Sequence, residues 1–144
     1  MILAHILKQK DGHIAAVAPT DTIAAVVETL GARRIGAVLV LDAGGQLLGI
    51  VSERDVVRSL ARAGAGTLEM TAGQLMTREL RVAAPTTSVS EAMSLMTEGR
   101  FRHLPVMEGG HLVGIVSIGD VVKERVSEQE HEVDSLRAYV AGAA

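Results

Sequence analysis

Apolar positions along this chain alternate between two spacings, and the whole cycle of spacings occurs twice. Residues 13–17 read as a short strand that stops at Pro19. Over 22–32, Ile23, Val26, Val27 and Leu30 recur at helical spacing behind Thr22, which suits an N-cap, with Gly31 near the end. The run 37–41 is apolar throughout, 42–46 is a Gly-rich turn and 47–51 is the returning strand. A helix over 53–63 follows, with Val56, Val57 and Leu60 on one side. The predicted order is β-α-β-β-α.

The second cycle predicts a strand over 81–84, a helix over 89–98, strands over 103–107 and 112–116, and a helix from 118. Its first helix carries Val89, Ala92, Met93 and Met96 as the apolar stripe, and methionines at that spacing read as core filler. The repetition is also literal. Val17-Ala-Pro-Thr-Asp-Thr-Ile returns as Ala83-Ala-Pro-Thr-Thr-Ser-Val at an offset of 66, and Gly49-Ile-Val-Ser-Glu-Arg-Asp-Val-Val returns as Gly114-Ile-Val-Ser-Ile-Gly-Asp-Val-Val at an offset of 65. The single-residue difference falls in the turn, where Asp42-Ala-Gly-Gly-Gln aligns with Glu108-Gly-Gly-His.

These patterns divide the chain into a first repeat over 8–65, a linker over 66–80 with a short helical turn at 72–76, a second repeat over 81–126 and an added C-terminal helix over 127–141. That last helix shows Val133, Leu136 and Val140 as a modest stripe, and Ile2, Leu3, Ile6 and Leu7 predict an N-terminal turn that packs. The fold class expected is α/β (α+β). A small sheet with its helices cannot cover its apolar surface alone, so the two repeats are expected to pack with pseudo-two-fold symmetry and to leave two related clefts.

Composition narrows the chemistry. The chain of 144 residues is 48% hydrophobic, yet its only rings besides histidine are Phe101 and Tyr139, which removes the aromatic platforms used by many single-strand nucleic-acid binders. A formal charge of -3 without a cationic stripe speaks against a nucleic-acid partner. The absence of cysteine excludes disulfides, thiolate catalysis and cysteine-ligated metals. No apolar run has the length of a membrane span, and the opening residues show neither basic leader nor cleavage pattern, so a soluble cytoplasmic protein is expected.

The repeated elements Gly49-x-x-Ser52-x-x-Asp55 and Gly114-x-x-Ser117-x-x-Asp120 stand at strand-to-helix junctions. A helix start offers unpaired N–H groups and a positive dipole end to phosphate, serine offers a hydroxyl, and aspartate one turn on accepts from both hydroxyls of a ribose. The same Ser-x-x-Asp spacing is also that of a capping box in which the two side chains serve only the helix. No Walker loop, His-Glu-x-x-His or paired nucleophile and base is present, so no catalytic residue is assigned and the chain is read as a non-enzyme. Glu128 and His131 lie three apart on the C-terminal helix, a spacing read as a solvated face, and no metal site is assigned.

With these two elements and Arg102-His-Leu-Pro-Val, the chain resembles a pair of cystathionine-β-synthase-type (CBS) domains, the Bateman module, over about residues 8–126. The resemblance implies a regulatory fold that takes AMP, ADP, ATP, NAD(H) or S-adenosylmethionine between repeats, with no obligatory cofactor. In one cleft the resemblance implies that Asp120 holds the ribose and Ser117 the phosphate side. The base lies near Lys10, His13, Ile14 and Ala15 and near Ile35 and Gly36, and Arg102 and His103 face phosphate. In the second cleft, Asp55 and Ser52 take those roles with Arg54 nearby, bordered by Arg81, Val82, Phe101 and Arg102. Arg54 reads equally as a solvated helix residue and Phe101 equally as a contact between halves; the alternative for His103 is a packed or surface histidine, and for His13 a contribution through its backbone. Arg102 and His103 stand where the first repeat has Gly36 and Ala37, which favours the Asp120 cleft as the principal one. The resemblance further implies a homodimer and a separate effector protein, with no membrane partner. The alternative is a structural, protein-interaction dimer without physiological nucleotide binding.

Overall fold

The computed structural model describes residues 1–10 and 14–143, and the chain divides into two compact units. One unit is Ile14–Leu80, and the other joins Met1–His13 to Arg81–Ala144.

In the Ile14–Leu80 unit, β1 (Ala16–Val17) leads through α2 (Ile23–Arg33) to β2 (Ala37–Leu41), β3 (Leu47–Ser52) and α3 (Glu53–Ala63); α1 (Leu3–Gln9) precedes them in the chain and belongs to the other unit. The sheet order is β1-β2-β3, with β1 parallel to β2 and β2 antiparallel to β3. Ile23, Val26 and Leu30 from α2 close over Val38, Val40 and Val51 from the sheet, and Val56, Ala72 and Met76 complete this core. A short helix α4 (Ala72–Leu75) follows a 3-10 turn over Gly64–Glu69.

The other unit repeats the plan with α5 (Val89–Gly99), β4 (His103–Glu108), β5 (His111–Ser117) and α6 (Ile118–Ala143). Its core gathers Val89, Ala92 and Met96 from α5, Leu104, Val106 and Val116 from the hairpin, and Val121, with Leu3 and Ile6 arriving from α1. Both hairpins carry a register shift at the same place in the repeat, between Val40 and Leu41 and between Val106 and Met107. The turns differ by the one residue read from the sequence. Gly109 and Gly110 make a two-residue turn with both φ positive, at 58° and 79°, whereas Asp42 spreads its Oδ1 over the Gly44 and Gln46 amides in the longer one.

Four expectations need correction. The strand expected over 81–84 is a single bridge, Ala83 to Val106. Ala83 donates to the Pro105 carbonyl and accepts from Met107, but continuing the ladder requires N–H groups from Pro105 on one side and Pro85 on the other, and proline has none. In the first repeat Leu39 replaces Pro105 and donates to Ala15, so that pairing runs longer. Second, α2 runs to Arg33, one residue beyond the expected 22–32, and is capped by Arg34 in the left-handed conformation (φ 54°), as α5 is by Arg100 at the equivalent place (φ 56°). Third, Val57 and Leu60 of α3 face outward. The buried positions there are Val56 and Ser59, whose hydroxyl pairs with Thr67 of the 3-10 turn at 2.9 Å, so a polar pair closes that side of the core. Fourth, the helix expected from 118 and the one expected over 127–141 are one helix, since neither glycine nor proline interrupts 120–141.

Candidate functional site

Both Gly-x-x-Ser-x-x-Asp elements sit where a strand runs directly into a helix. At the α3 start, Ser52 Oγ accepts from the Asp55 amide at 3.3 Å while Asp55 Oδ2 accepts from the Ser52 amide at 2.9 Å, a complete capping box. Ser52 also donates its hydroxyl to Asp55 Oδ2 at 3.0 Å, and Thr77 approaches Oδ1 at 3.5 Å. At the α6 start the same pair of bonds forms, from the Asp120 amide to Ser117 Oγ at 3.1 Å and from the Ser117 amide to Asp120 Oδ2 at 2.8 Å. In each unit the first amide of the helix is taken by a carbonyl from the residue before the middle strand: Glu53 donates to Gly36 at 2.9 Å and Ile118 to Arg102 at 2.7 Å.

The motif glycines are explained by what lies across them. A Cβ at Gly49 would stand 2.7 Å from Met76 Sδ and from the Thr77 carbonyl, and one at Gly114 would stand 2.6 Å from Leu7 Cδ2. Each glycine therefore lets a neighbouring segment cross its strand closely. Those segments are the lead-ins of the opposite repeats: α4 and Thr77 precede the second repeat but dock beside α3, while α1 and Lys10 precede the first repeat but dock beside α6. The exchange is reciprocal down to the backbone, with Thr22 bridged to Thr71 and Ser88 to Ile2.

The two lead-ins deliver different side chains. Thr77 brings a hydroxyl to Asp55, whereas Lys10 brings an ammonium to Asp120 Oδ2 at 2.8 Å, anchored by a second bond to the Ile115 carbonyl at 2.9 Å. Burial opposes ionisation of Asp120, but the Lys10 hydrogen bond, the Ser117 amide, the Lys10 charge and the Ser117 side chain together outweigh it and hold the carboxyl below its ordinary 3.8. Near neutral pH this helix start thus presents a carboxylate and an ammonium in contact.

One unit holds Lys10, Arg102, His103, Ser117 and Asp120 of the principal set. His103 stands directly across the hairpin from Ser117, and Arg102 adjoins it, with its side chain exposed. Lys10, expected beside the base, has its ammonium on the carboxylate expected to hold the ribose. Ile14, Ala15, Ile35 and Gly36 are in the other unit, Ile14 and Ala15 on the approach to β1 and Gly36 at the α3 start; His13 lies outside the described residues. Of the second set, Ser52 and Asp55 form the α3 cap, and Arg54 is exposed on the first turn of that helix. Arg81 and Val82 are exposed in the other unit, and Phe101 there packs against its own core, its ring over Gly99. The Lys10 to Asp120 contact was not legible beforehand, since 110 positions separate the two and only the docking of α1 joins them. Among the described residues no group of three or more His, Asp or Glu side chains is arranged to hold a metal ion, and no helix is long and apolar enough to cross a membrane.

Comparison with known proteins shows the family and the fold. A family model for the CBS domain matches residues 11–62 and 72–127. A CBS-domain-containing protein of Agrobacterium tumefaciens has a similar structure, with a TM-score of 0.83 and 42% identity over 86% of this chain and 92% of that one. The CBS domain-containing protein CBSX3, mitochondrial, of Arabidopsis thaliana is 37% identical over 139 residues, which are 94% of this chain and 68% of that protein. Other curated relatives from that plant are much longer, and the chain spans 23% of their length. The CBS domain pair of protein MJ0100, solved with 5′-methylthioadenosine and S-adenosyl-L-methionine, has a TM-score of 0.78 over 89% of this chain and 98% of that one; at 22% identity this is a likeness of fold.

Proposed function

Because the chain belongs to the CBS-domain family, as a pair of its domains, we propose that it binds an adenosine-containing nucleotide at the Ser117–Asp120 helix start and so regulates a separate protein. CBS domains generally bind adenosine-containing nucleotides, and CBS-domain proteins are typically regulatory rather than catalytic. The observation that carries the reading is the contact of Lys10 with Asp120 at 2.8 Å on the first turn of α6. An anionic acceptor suits the two hydroxyls of a ribose, and an ammonium beside a helix N-terminus suits a phosphate. Ligand entry exchanges the Lys10 bond on Asp120 for ribose hydroxyls and releases the ammonium toward phosphate. The adenosine preference comes from the family. AMP, ADP and ATP are the ligands this reading favours, with NAD(H) or S-adenosylmethionine as further members of the class. The reading includes a homodimer and a cytoplasmic setting.

Calorimetry of the intact chain against AMP, ADP, ATP, NAD, NADH and S-adenosylmethionine tests it. Asp120→Ala is expected to weaken the strongest ligand at least ~10-fold, the scale of one hydrogen bond to a charged group. Lys10→Met is expected to weaken AMP more than adenosine. Unchanged affinity in Asp120→Ala would move the ligand away from this helix start. The second reading, a structural dimer module without a physiological nucleotide, is favoured by the capping box at α3, where Ser52 and Thr77 already occupy both oxygens of Asp55. It predicts no saturable heat with any of the six compounds.

A further inference from the structure

Helix α6 is 26 residues long, and residues 129–142 are all exposed. A helical stretch of that length whose described residues are all exposed is marginal in water, so its helicity calls for a covering surface. Val122, Val126, Gln129, Val133, Leu136 and Val140 follow one another at alternating steps of four and three residues, the seam of a heptad repeat. The five apolar members are exposed by 42%, 47%, 47%, 63% and 60% in chain order. Val121 and Glu124, which α6 buries against its own unit, lie roughly 100° and 160° around the helix from the centre of this seam, so the seam is not consumed by that packing.

We propose that a second copy of this chain covers the seam, the two α6 helices running parallel and in register as a two-stranded coiled coil from Val122 to Val140. Val126, Val133 and Val140 occupy the a positions and Val122, Gln129 and Leu136 the d positions. β-branched residues at a with leucine at d favour two parallel strands; here all three a positions are valine, and leucine stands at one d position, Leu136. The flanking charges select the same arrangement. In a parallel pair each g residue faces the e residue five positions later on the partner, which places Arg125 opposite Glu130 of the partner subunit and Glu132 opposite Arg137 of the partner subunit. Symmetry makes four attractive pairs; Arg125 meanwhile holds Glu128 of its own helix at 3.1 Å. The antiparallel register that faces Val126 with Leu136 instead sets Glu130 against Glu130 and Glu132 against Glu132, and puts the Gln129 amide against Val133. In the parallel register Gln129 meets its own copy, amide to amide, so each donates and accepts across the seam.

This inference rests on the homodimer reading and adds its interface and direction; it is independent of nucleotide. The chain has no cysteine, so Val133→Cys introduces the only thiol. Two a-position residues of one parallel layer lie within disulfide reach. Mild oxidation of the Val133→Cys chain is expected to give mostly a covalent, reductant-reversible dimer, while His131→Cys on the far side of α6 gives little. In sedimentation equilibrium, Leu136→Glu, at an exposed position that leaves the folded unit intact by circular dichroism, is expected to weaken the dimer more than tenfold. Arg137→Glu is expected to weaken it less, and Glu132→Arg added to Arg137→Glu to restore it. A dimeric mass without cross-linking of the Val133→Cys chain, or a dimer indifferent to Leu136→Glu, overturns the coiled coil and leaves the homodimer standing. A monomeric wild-type chain overturns both.

Discussion

At Asp120 three demands meet on one carboxyl group: the Ser117 amide, the Lys10 ammonium and, on the proposed function, a ribose. Its affinity for protons reports on the first two. Because the folded-state pKa lies below the ordinary 3.8, the stability that this ionisation contributes is fully present above the unfolded value and is lost as pH falls through the folded one. Lys10→Met leaves the opposing burial in place and removes the charge and hydrogen bond that offset it. The Asp120 carboxyl, followed by carbon NMR against pH, is therefore expected to titrate at higher pH in Lys10→Met, and the acid limb of the stability curve to move up with it; an unmoved titration would show that Lys10 does not contribute. The serine and aspartate were legible because helix starts impose a local three-residue spacing. The lysine was not, since nothing local ties position 10 to position 120.

Elements were legible where one side chain pattern decided them and obscure where backbone chemistry did. The periodicities found α2, α5 and both hairpins, whereas two prolines reduced the strand expected over 81–84 to one bridge, and a continuous run of helix formers fused two expected helices into α6. The docking of lead-in segments on the sheets depends on the motif glycines, and the two differ in what they face. Gly49 lies against the Thr77 carbonyl, which is bonded to the Ile50 amide at 3.1 Å, so a methyl there must push backbone aside. Gly114 lies against one methyl of Leu7, which can rotate away. Gly49→Ala is expected to destabilise the fold by about 2–3 kcal/mol and Gly114→Ala by about 1 kcal/mol, read from urea denaturation midpoints. Equal losses would mean that the Leu7 side chain is as confined as the backbone at Thr77.

At the scale of the whole molecule, the duplication in the sequence foretold two similar units but not their parts list. The N-terminal stripe was legible as something that packs; that it packs into the core of the later repeat follows from the reciprocal exchange of lead-ins, which no pattern within a single repeat encodes. Leu3 and Ile6 are buried there, so removing residues 1–9 is expected to cost that unit about 4 kcal/mol, from roughly 2 kcal/mol for each buried side chain. Hydrogen exchange should accelerate across residues 81–128 and stay as it was in 14–80; equal acceleration in both would show that the loss is not local to one core. The same exchange sets an order of events during synthesis. The Ile14–Leu80 unit is complete once residue 80 has left the ribosome, but α1, made before that unit, has no surface to settle on until β5 and the start of α6 have emerged. Until then Leu3 and Ile6 stay uncovered, and a helix that comes later in the sequence is the one that lets an earlier one settle.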